Sequence, residues 1–423
     1  MVMMVFTSIY SVVDGFFVSN FCPKVDFAAV NFIMPVLIIL GAVGFMFGSG
    51  GSALVSKTLG EGRRQKANKI FSLVVYTSAA VGVVLAALGI IFLRPLSALM
   101  GAEGELLERS VVYGRIILLA LPAFILQVEF QSFFITAEKP QLGLYVTLAA
   151  GMTNIILDGV LVGLLPLGLE GAAIATAVSQ TVGGLIPLIY FSVKNKSILR
   201  LCKADFDMKA LVKTCTNGSS EFMGNIAMSV VGVLYNVQLL KYEGENGIAA
   251  YGVLMYVGMI FNAIFIGYSI GSAPVVGYHY GAKNRSELRG LLGKSAVIIG
   301  AFSVLMTISS FLLSSPLSKL FVGYDQYLYE LTAHGFKIYS ISFLFMGYAI
   351  FFSGFFTALN DGLTSALISF LRTLVFQVAA VMLLPLAFGG IDGIWWSVVV
   401  AEVMAVVLSL IFVIANSKKY LKI

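Results

Sequence analysis

The chain has 423 residues, of which 59% are hydrophobic and 11% charged, and its formal net charge is +6. Soluble domains contain about 45–50% apolar and roughly 25% charged residues. A water-soluble fold is therefore excluded, because the polar residues are too few to cover its surface. The three cysteines, Cys22, Cys202 and Cys215, show neither disulfide-framework nor metal-site spacing. The first twenty residues lack the basic n-region of a cleavable signal peptide.

Twelve apolar runs are long enough to cross a bilayer as helices, which takes about 20 residues each. In chain order they cover residues 1–20, 27–55, 68–93, 109–137, 141–164, 169–193, 217–241, 247–273, 289–314, 327–357, 360–386 and 393–416. The sequence therefore predicts an all-α membrane protein with twelve transmembrane helices.

Basic residues set the predicted orientation, because cytoplasmic loops carry an excess of Lys and Arg. With the N-terminus in the cytoplasm, nineteen Lys and Arg residues fall on the cytoplasmic side. Four fall on the other side, namely Lys24, Arg94, Lys241 and Lys319. We therefore expect a protein of the bacterial plasma membrane with both termini in the cytoplasm.

The second half of the chain repeats the first at an offset of about 220 residues. The paired stretches are "TLGEGRRQKA" (58–67) with "YHYGAKNRSE" (278–287), "FFITAEKP" (133–140) with "GFFTALND" (354–361), and "LLPLGLEGAAIA" (164–175) with "LLPLAFGGIDGIWW" (383–396). Each half holds six spans, so both enter the membrane from the same side, related by a pseudo-two-fold axis along the membrane normal. We predict an N-lobe at 1–193, a cytoplasmic inter-lobe linker at 194–216 and a C-lobe at 217–423.

Four polar residues of the N-lobe have no polar counterpart of the same kind in the C-lobe. Shifted by 221 residues they fall as follows: Asp14 on Tyr235, Asn154 on Val375, Asp158 on Ala379 and Thr176 near Val398. Packing alone therefore does not explain why polar groups occupy these positions.

Helix geometry places these four residues close in depth. At a rise of 1.5 Å per residue, Asp14, Asp158 and Thr176 lie roughly 10 Å below the outer surface. Asn154 precedes Asp158 by four residues, on the same helix face. Such oxygens can ligate a hard monovalent cation, and two adjacent carboxylates can share a proton. Both readings stay open.

Several motifs resemble those of the multidrug and toxic compound extrusion (MATE) family. They are "YSVVDGFFVS" in the first span, the "GEGRRQKA" loop, "TNIILDGVLVGLLPLGLEGAAIAT" over spans five and six, and "AAYGV" (249–253) with "GSAPVVGYHYGAKN" (271–284) in the second half. The resemblance covers essentially the whole chain. It implies a secondary active antiporter that exports organic, often cationic and aromatic compounds in exchange for Na⁺ or H⁺, by rocking of two lobes.

The resemblance also implies residue roles. Asp14, Asn154, Asp158 and Thr176 would bind the coupling Na⁺ or H⁺, and they would be metal ligands only if the ion is sodium. Tyr10 and Tyr113 match tyrosines that line the N-lobe cavity of relatives. No cofactor other than the coupling ion is implied. The expected partners are small organic substrates and membrane lipid, without nucleic acid, and the protein is expected to be monomeric.

The sequence departs from the family pattern in two places. The first span begins at Met1 without the polar lead and early proline usual in the family, which indicates a late start codon or a shortened form. The stretch "HGFKIYSISFLFMGYAIFF" (334–352) of the tenth span contains no carboxylate, and Glu221 lies within the first two turns of the seventh. An ion site in the C-lobe is therefore not expected.

Four of the other charged residues within predicted spans are assigned specific roles. Glu129 and Glu221 are candidates for the substrate cavity, with local hydrogen bonding and nearby headgroups as the respective alternatives. Arg372 is a candidate for gating or substrate binding, again with local hydrogen bonding as the alternative. Glu402 is expected to be a satisfied packing residue.

The sequence argues against two other function classes. A flippase for lipid-linked saccharides, from the same superfamily, would need cationic residues in the cleft to hold a pyrophosphate, whereas the N-lobe offers acids. An integral-membrane transferase would need paired catalytic groups at one interface, and no His–Asp or metal motif is present. Nothing fits the phosphate-binding pattern G-x-x-x-x-G-K-[ST], so ATP drive is not expected either. The sequence therefore predicts a transporter and not an enzyme.

Overall fold

The computed structural model describes residues 1–165 and 167–420, apart from the side chains of residues 11, 12, 16 and 20. This part of the chain is helical and contains no strand. The first helices are α1 (Val2–Phe21), α2 (Lys24–Gly60), α3 (Arg64–Leu99), α4 (Gly104–Thr136), α5 (Pro140–Asp158) and α6 (Gly168–Ser192). A π-helical segment, Gly159–Leu164, continues α5.

The second set of helices follows a non-helical stretch after α6. These helices are α7 (Met208–Gly281), α8 (Arg285–Val322), α9 (Gln326–Ser340), α10 (Phe343–Ala358), α11 (Gly362–Phe370), α12 (Gln377–Phe388) and α13 (Ile391–Tyr420). A π-helical segment, Leu371–Phe376, joins α11 to α12. The chain divides into two compact units. The first contains residues 2–222, and the second contains Met1 and the described residues from Met223 onward.

Hydropathy and length identify the membrane spans in the described residues. Ten helical segments are long and apolar enough to cross a membrane, and α9 and α10, which meet at a bend of 48°, form an eleventh as a pair. Helix α7 has 74 residues and a non-helical backbone at Gly244, with φ 62° and ψ −144°. Because one crossing takes about 20 residues, α7 supplies two crossings, before and after Gly244. The predicted all-α membrane fold is confirmed.

The first unit packs around α4, and glycines on three neighbouring helices make the close approach possible. A Cβ atom added at Gly44 of α2 would lie 2.9 Å from the carbonyl oxygen of Ile125 on α4. One added at Gly82 of α3 would lie 2.8 Å from Pro122 Cα, and one at Gly184 of α6 would lie 2.3 Å from the carbonyl oxygen of Ala123. Small residues at such contacts allow the van der Waals packing that drives helix association in lipid.

The stretch between α6 and α7 is bound to the first unit along its length. The Arg64 guanidinium donates to the carbonyl oxygen of Ile198 at 3.2 Å, and the backbone N–H of Cys202 donates to the Ser72 hydroxyl at 2.9 Å. Lys69 forms an ion pair with Asp205 at 2.5 Å. This pairing holds the pKa of Asp205 below its ordinary value, through the hydrogen bond and the positive charge of Lys69.

Helix α7 begins inside the predicted linker and packs on α2. A Cβ atom added at Gly50 of α2 would lie 2.0 Å from the carbonyl oxygen of Thr214, and one added at Gly218 would lie 1.9 Å from the carbonyl oxygen of Met46. The first turns of α7 are thus part of the first unit, which ends at Phe222. Residues 194–207 of the linker predicted at 194–216 therefore form an irregular strap, and residues 208–216 are the start of α7.

The second unit buries an ion pair beside its π-helical segment. Arg372 donates to both carboxylate oxygens of Glu402, with distances of 2.9 and 3.2 Å from Nε and 2.9 Å from Nη2. The side chains are 15% and 3% exposed, respectively. This bidentate geometry pairs both charges within the second unit. Glu402 is thereby a satisfied packing residue, and Arg372 has a local partner.

Removing one member of this pair should destabilise the second unit strongly. Arg372→Met leaves the Glu402 carboxylate buried and unpaired, which typically costs about 3–5 kcal/mol. The double variant Arg372→Met/Glu402→Met should be markedly more stable than the single one, because no buried charge remains. Thermal unfolding of the detergent-solubilised protein measures both effects. A double variant as unstable as the single variant would contradict this account.

Candidate cation site in the first unit

Helices α1, α5 and α6 bring the four predicted polar residues together. The Thr176 hydroxyl donates to Oδ1 of Asp14 at 3.3 Å, and the Asn154 side-chain amide donates to the Thr176 hydroxyl at 3.4 Å. Asp158 lies within electrostatic range of Asp14. Asp158 is fully buried and Asn154 is 2% exposed, whereas Asp14 and Thr176 are half-buried. One carboxylate from α1 and one from α5 thus face a common polar group.

Local geometry explains how these side chains reach one another. Asn154 and Asp158 are four residues apart on α5 and share a face. The Ser179 hydroxyl of α6 donates to the carbonyl oxygen of Ala150 at 2.7 Å, which ties α6 to α5. Gly151 lets α1 approach α5, because a Cβ atom there would lie 2.6 Å from Phe6 and 3.0 Å from Tyr10. The helix widens to a π-helix directly after Asp158, a feature that often occurs at functional sites.

Three buried oxygen atoms of the group have no hydrogen-bond partner among the described residues. They are Oδ1 and Oδ2 of Asp158 and Oδ1 of Asn154. Oxygen-only donor sets suit hard cations, and a buried carboxylate without a partner otherwise needs a proton. The described residues contain no group of three or more His, Cys, Asp or Glu side chains arranged for a metal ion. Two carboxylates, Asp14 and Asp158, therefore supply the negative charge that this group offers to a cation.

The two tyrosines predicted for the cavity lie beside this group. Tyr10 is half-buried against Gly151, and its hydroxyl is hydrogen-bonded to the Gln127 side chain. Tyr113 on α4 is 1% exposed and within electrostatic range of both Asp14 and Asp158. The aromatic rings and the carboxylates thus occupy neighbouring positions in the first unit.

The two predicted glutamates lie elsewhere. Glu129 follows Tyr113 by sixteen residues on α4, which corresponds to about 24 Å along the helix axis. It is fully buried and hydrogen-bonded to the Ser78 hydroxyl of α3. Glu221 is half-buried on α7 and has polar contacts of its own. Their assignment to the substrate cavity stays a prediction.

A polar group that sequence comparison overlooked occupies the related positions of the second unit. The Tyr235 hydroxyl is hydrogen-bonded to the Ser397 hydroxyl at 2.7 Å and donates to Oε1 of Gln377 at 2.8 Å. Tyr235 and Ser397 are offset by 221 residues from Asp14 and Thr176, so the α1–α6 contact of the first unit has a neutral equivalent. The sequence does contain a sign of this group, because Ser397 lies next to Val398, the residue with which Thr176 was paired when the two halves were compared.

Comparison with known proteins places the chain in a family. The family model MatE matches residues 1–160 and 222–383, once in each half. The chain belongs to the MatE family. The multidrug export protein MepA of Staphylococcus aureus (strain MRSA252) is 26% identical over 409 residues, covering 96% of this chain and 89% of that protein. The MepA protein of Staphylococcus haemolyticus (strain JCSC1435) is 27% identical over 407 residues, with the same coverage.

Solved structures of this family share the fold. The outward-facing conformation of a multidrug resistance MATE family transporter of the MOP superfamily aligns with a TM-score of 0.94 at 20% identity, over 100% of this chain and 95% of that one. The family match, the export proteins among the relatives and the apolar helices identify the chain as an integral membrane transporter and not an enzyme, as predicted.

A larger side chain at Gly151 should separate α1 from α5. Gly151→Val forces overpacking against Phe6 and Tyr10, which typically costs about 1–3 kcal/mol, and should lower the thermal unfolding temperature of the purified protein. Gly163→Val is the matched control, because a Cβ atom at Gly163 meets no atom within 4 Å. Equal unfolding temperatures for the two variants would show that Gly151 does not set the α1–α5 distance.

Proposed function

We propose that the protein is a multidrug efflux antiporter that exports organic, often cationic and aromatic compounds in exchange for Na⁺ or H⁺. The observation that carries the proposal is the meeting of Asp14, Asn154, Asp158 and Thr176 from three helices, with unpartnered carboxylate oxygens at the centre. Family membership and the names of the MepA relatives support export of drugs. In this proposal the four residues are the coupling-ion site.

The carboxylate pair gives the ion a mechanical role. Without a proton or a cation, Asp14 on α1 and Asp158 on α5 repel each other in a low-dielectric interior. An ion between them replaces this repulsion with attraction and draws α1 toward α5. Contacts at Gly151 and Thr176 lie on the same interface. The position of α1 therefore follows the occupancy of the site.

Substrate and ion act on neighbouring groups. Substrate binds in an outward-open cavity of the first unit, where the half-buried Tyr10 offers aromatic surface. A cation then enters from outside, binds the carboxylates and shifts α1, which carries both Tyr10 and Asp14. Substrate binding weakens, the substrate leaves, and the two lobes rock inward. Coupling requires that ion and substrate each bind the alternative states with different affinity.

We further propose a cellular location, an oligomeric state and partners. The protein lies in the bacterial plasma membrane with both termini in the cytoplasm and works as a monomer. Its partners are small organic substrates and lipid, without nucleic acid. It uses no cofactor apart from the coupling ion.

Neutralising either aspartate should abolish coupled export. Asp14→Asn and Asp158→Asn keep the side-chain volume and remove the charge that attracts the ion, so ethidium efflux from energised cells should fall at least tenfold. Asp205→Asn is the control, because its carboxylate forms an exposed ion pair on the linker. Normal efflux by both Asp14→Asn and Asp158→Asn, at matched expression, would rule out these two residues as the coupling site.

The neutral ligands separate the two candidate ions. Asn154→Leu and Thr176→Val remove oxygen donors but leave both carboxylates. If Na⁺ is the coupling ion, these variants should raise the Na⁺ concentration needed for half-maximal transport in vesicles without a pH gradient. If H⁺ is the coupling ion, transport should be independent of Na⁺ and both variants should retain pH-driven exchange. Na⁺-driven transport unaffected by either variant would remove both residues from the site.

A further inference from the structure

A second acidic group lies in the first unit, apart from the residues of the proposed coupling site. Glu129 of α4 is fully buried, and its Oε2 atom is hydrogen-bonded to the Ser78 hydroxyl of α3. Its Oε1 atom has no hydrogen-bond partner among the described residues. Gly48 of α2 covers the backbone of Glu129, since a Cβ atom there would lie 3.0 Å from Glu129 Cα. The carboxyl group is thus enclosed by α2, α3 and α4.

Among the described residues, Glu129 forms no ion pair, and its hydrogen-bond partner is the neutral Ser78 hydroxyl. The nearest charged residue on α2 is Lys57, nine residues beyond Gly48, and the nearest on α3 is Lys69, nine residues before Ser78. Each is about 14 Å away along its helix. On the other elements near this part of α2 and α4, the charged residues closest along the chain are Arg115 on α4, Glu138 and Lys139 before α5, Asp158 on α5, Glu170 on α6, and Lys213 and Glu221 on α7, whose first turns pack against Met46 and Gly50. An isolated ion at this depth is costly.

The Ser78 hydroxyl has two neighbouring acceptors, the Glu129 carboxyl group and the Val75 carbonyl oxygen. The Ser78 hydroxyl lies 3.0 Å from the backbone carbonyl oxygen of Val75, which can only accept. A serine hydroxyl has one proton to donate. If that proton goes to Val75, the contact between Ser78 and Glu129 needs a proton from the glutamic acid. The hydrogen-bond chain then runs from Glu129 to Ser78 to the Val75 carbonyl, with every donor matched to an acceptor.

We propose that Glu129 and Ser78 form a second proton-binding site in the first unit, with Glu129 held as a neutral carboxylic acid. The site is separate from the proposed coupling ion site and does not depend on it. Removal of the proton would turn the Ser78 hydroxyl toward the carboxylate and break its bond to Val75. Protonation of Glu129 is therefore linked to which acceptor the Ser78 hydroxyl uses, the Val75 carbonyl within α3 or the Glu129 carboxylate of α4.

Infrared spectroscopy tests this assignment directly. The purified wild-type protein at neutral pH should show a carboxylic-acid C=O stretching band that shifts in D₂O and is lost in Glu129→Gln. The same band should persist in Asp14→Asn and Asp158→Asn, which distinguishes it from the coupling site. An identical acid region in the wild type and Glu129→Gln would show that Glu129 is ionised and would overturn the proposal.

Ser78→Ala provides a second readout that leaves the acid in place. Loss of the hydroxyl acceptor should move the Glu129 band to higher frequency, because the acid O–H then lacks its partner. Ser72→Ala is the matched control on the same helix, since its hydroxyl serves Cys202 and the Asn68 carbonyl. A spectrum unchanged by Ser78→Ala would contradict the Glu129–Ser78 hydrogen bond, even if Glu129→Gln cannot be purified.

Discussion

A carboxylate inside an apolar helix bundle must be neutralised by a proton, a cation or a basic side chain, and this requirement organises the polar interior of the protein. Three of the buried acids meet it in different ways. Glu402 has a guanidinium in hydrogen-bonding contact, Glu129 has a hydroxyl and no cation, and Asp158 has a second carboxylate nearby and two unpartnered oxygens. The last arrangement, with two carboxylates side by side, creates the stronger demand for a cation or a proton. The proposed coupling mechanism follows from that demand.

Close helix packing makes it possible for Asp14, Asn154, Asp158 and Thr176 to meet. Glycines at the contacts of α4 with α2, α3 and α6 let backbones approach within van der Waals distance, and Gly151 does the same for α1 against α5. The interior is thus tight enough to exclude water from Asp158. A looser bundle would admit water, and the carboxylate pair would lose its preference for an ion. Packing and ion binding therefore depend on the same small residues.

Hydropathy predicted the spans because a bilayer imposes one length on every crossing helix. Comparison of the two halves singled out Asp14 and Asp158, because charge at these positions breaks an otherwise apolar pattern. Other features depend on three-dimensional contacts that leave no periodic signal. The bend between α9 and α10, the π-helical segments and the Ser78 partner of Glu129 belong to this class. The neutral group around Tyr235 was missed because hydroxyls are tolerated in membrane helices without special function.

The start of α7 has a mechanical consequence. The strap before it is fixed to α3, its first turns are packed on α2, and the chain enters the second unit within the same helix, at Met223. The covalent junction between the two units is therefore a continuous helical segment and not a flexible loop.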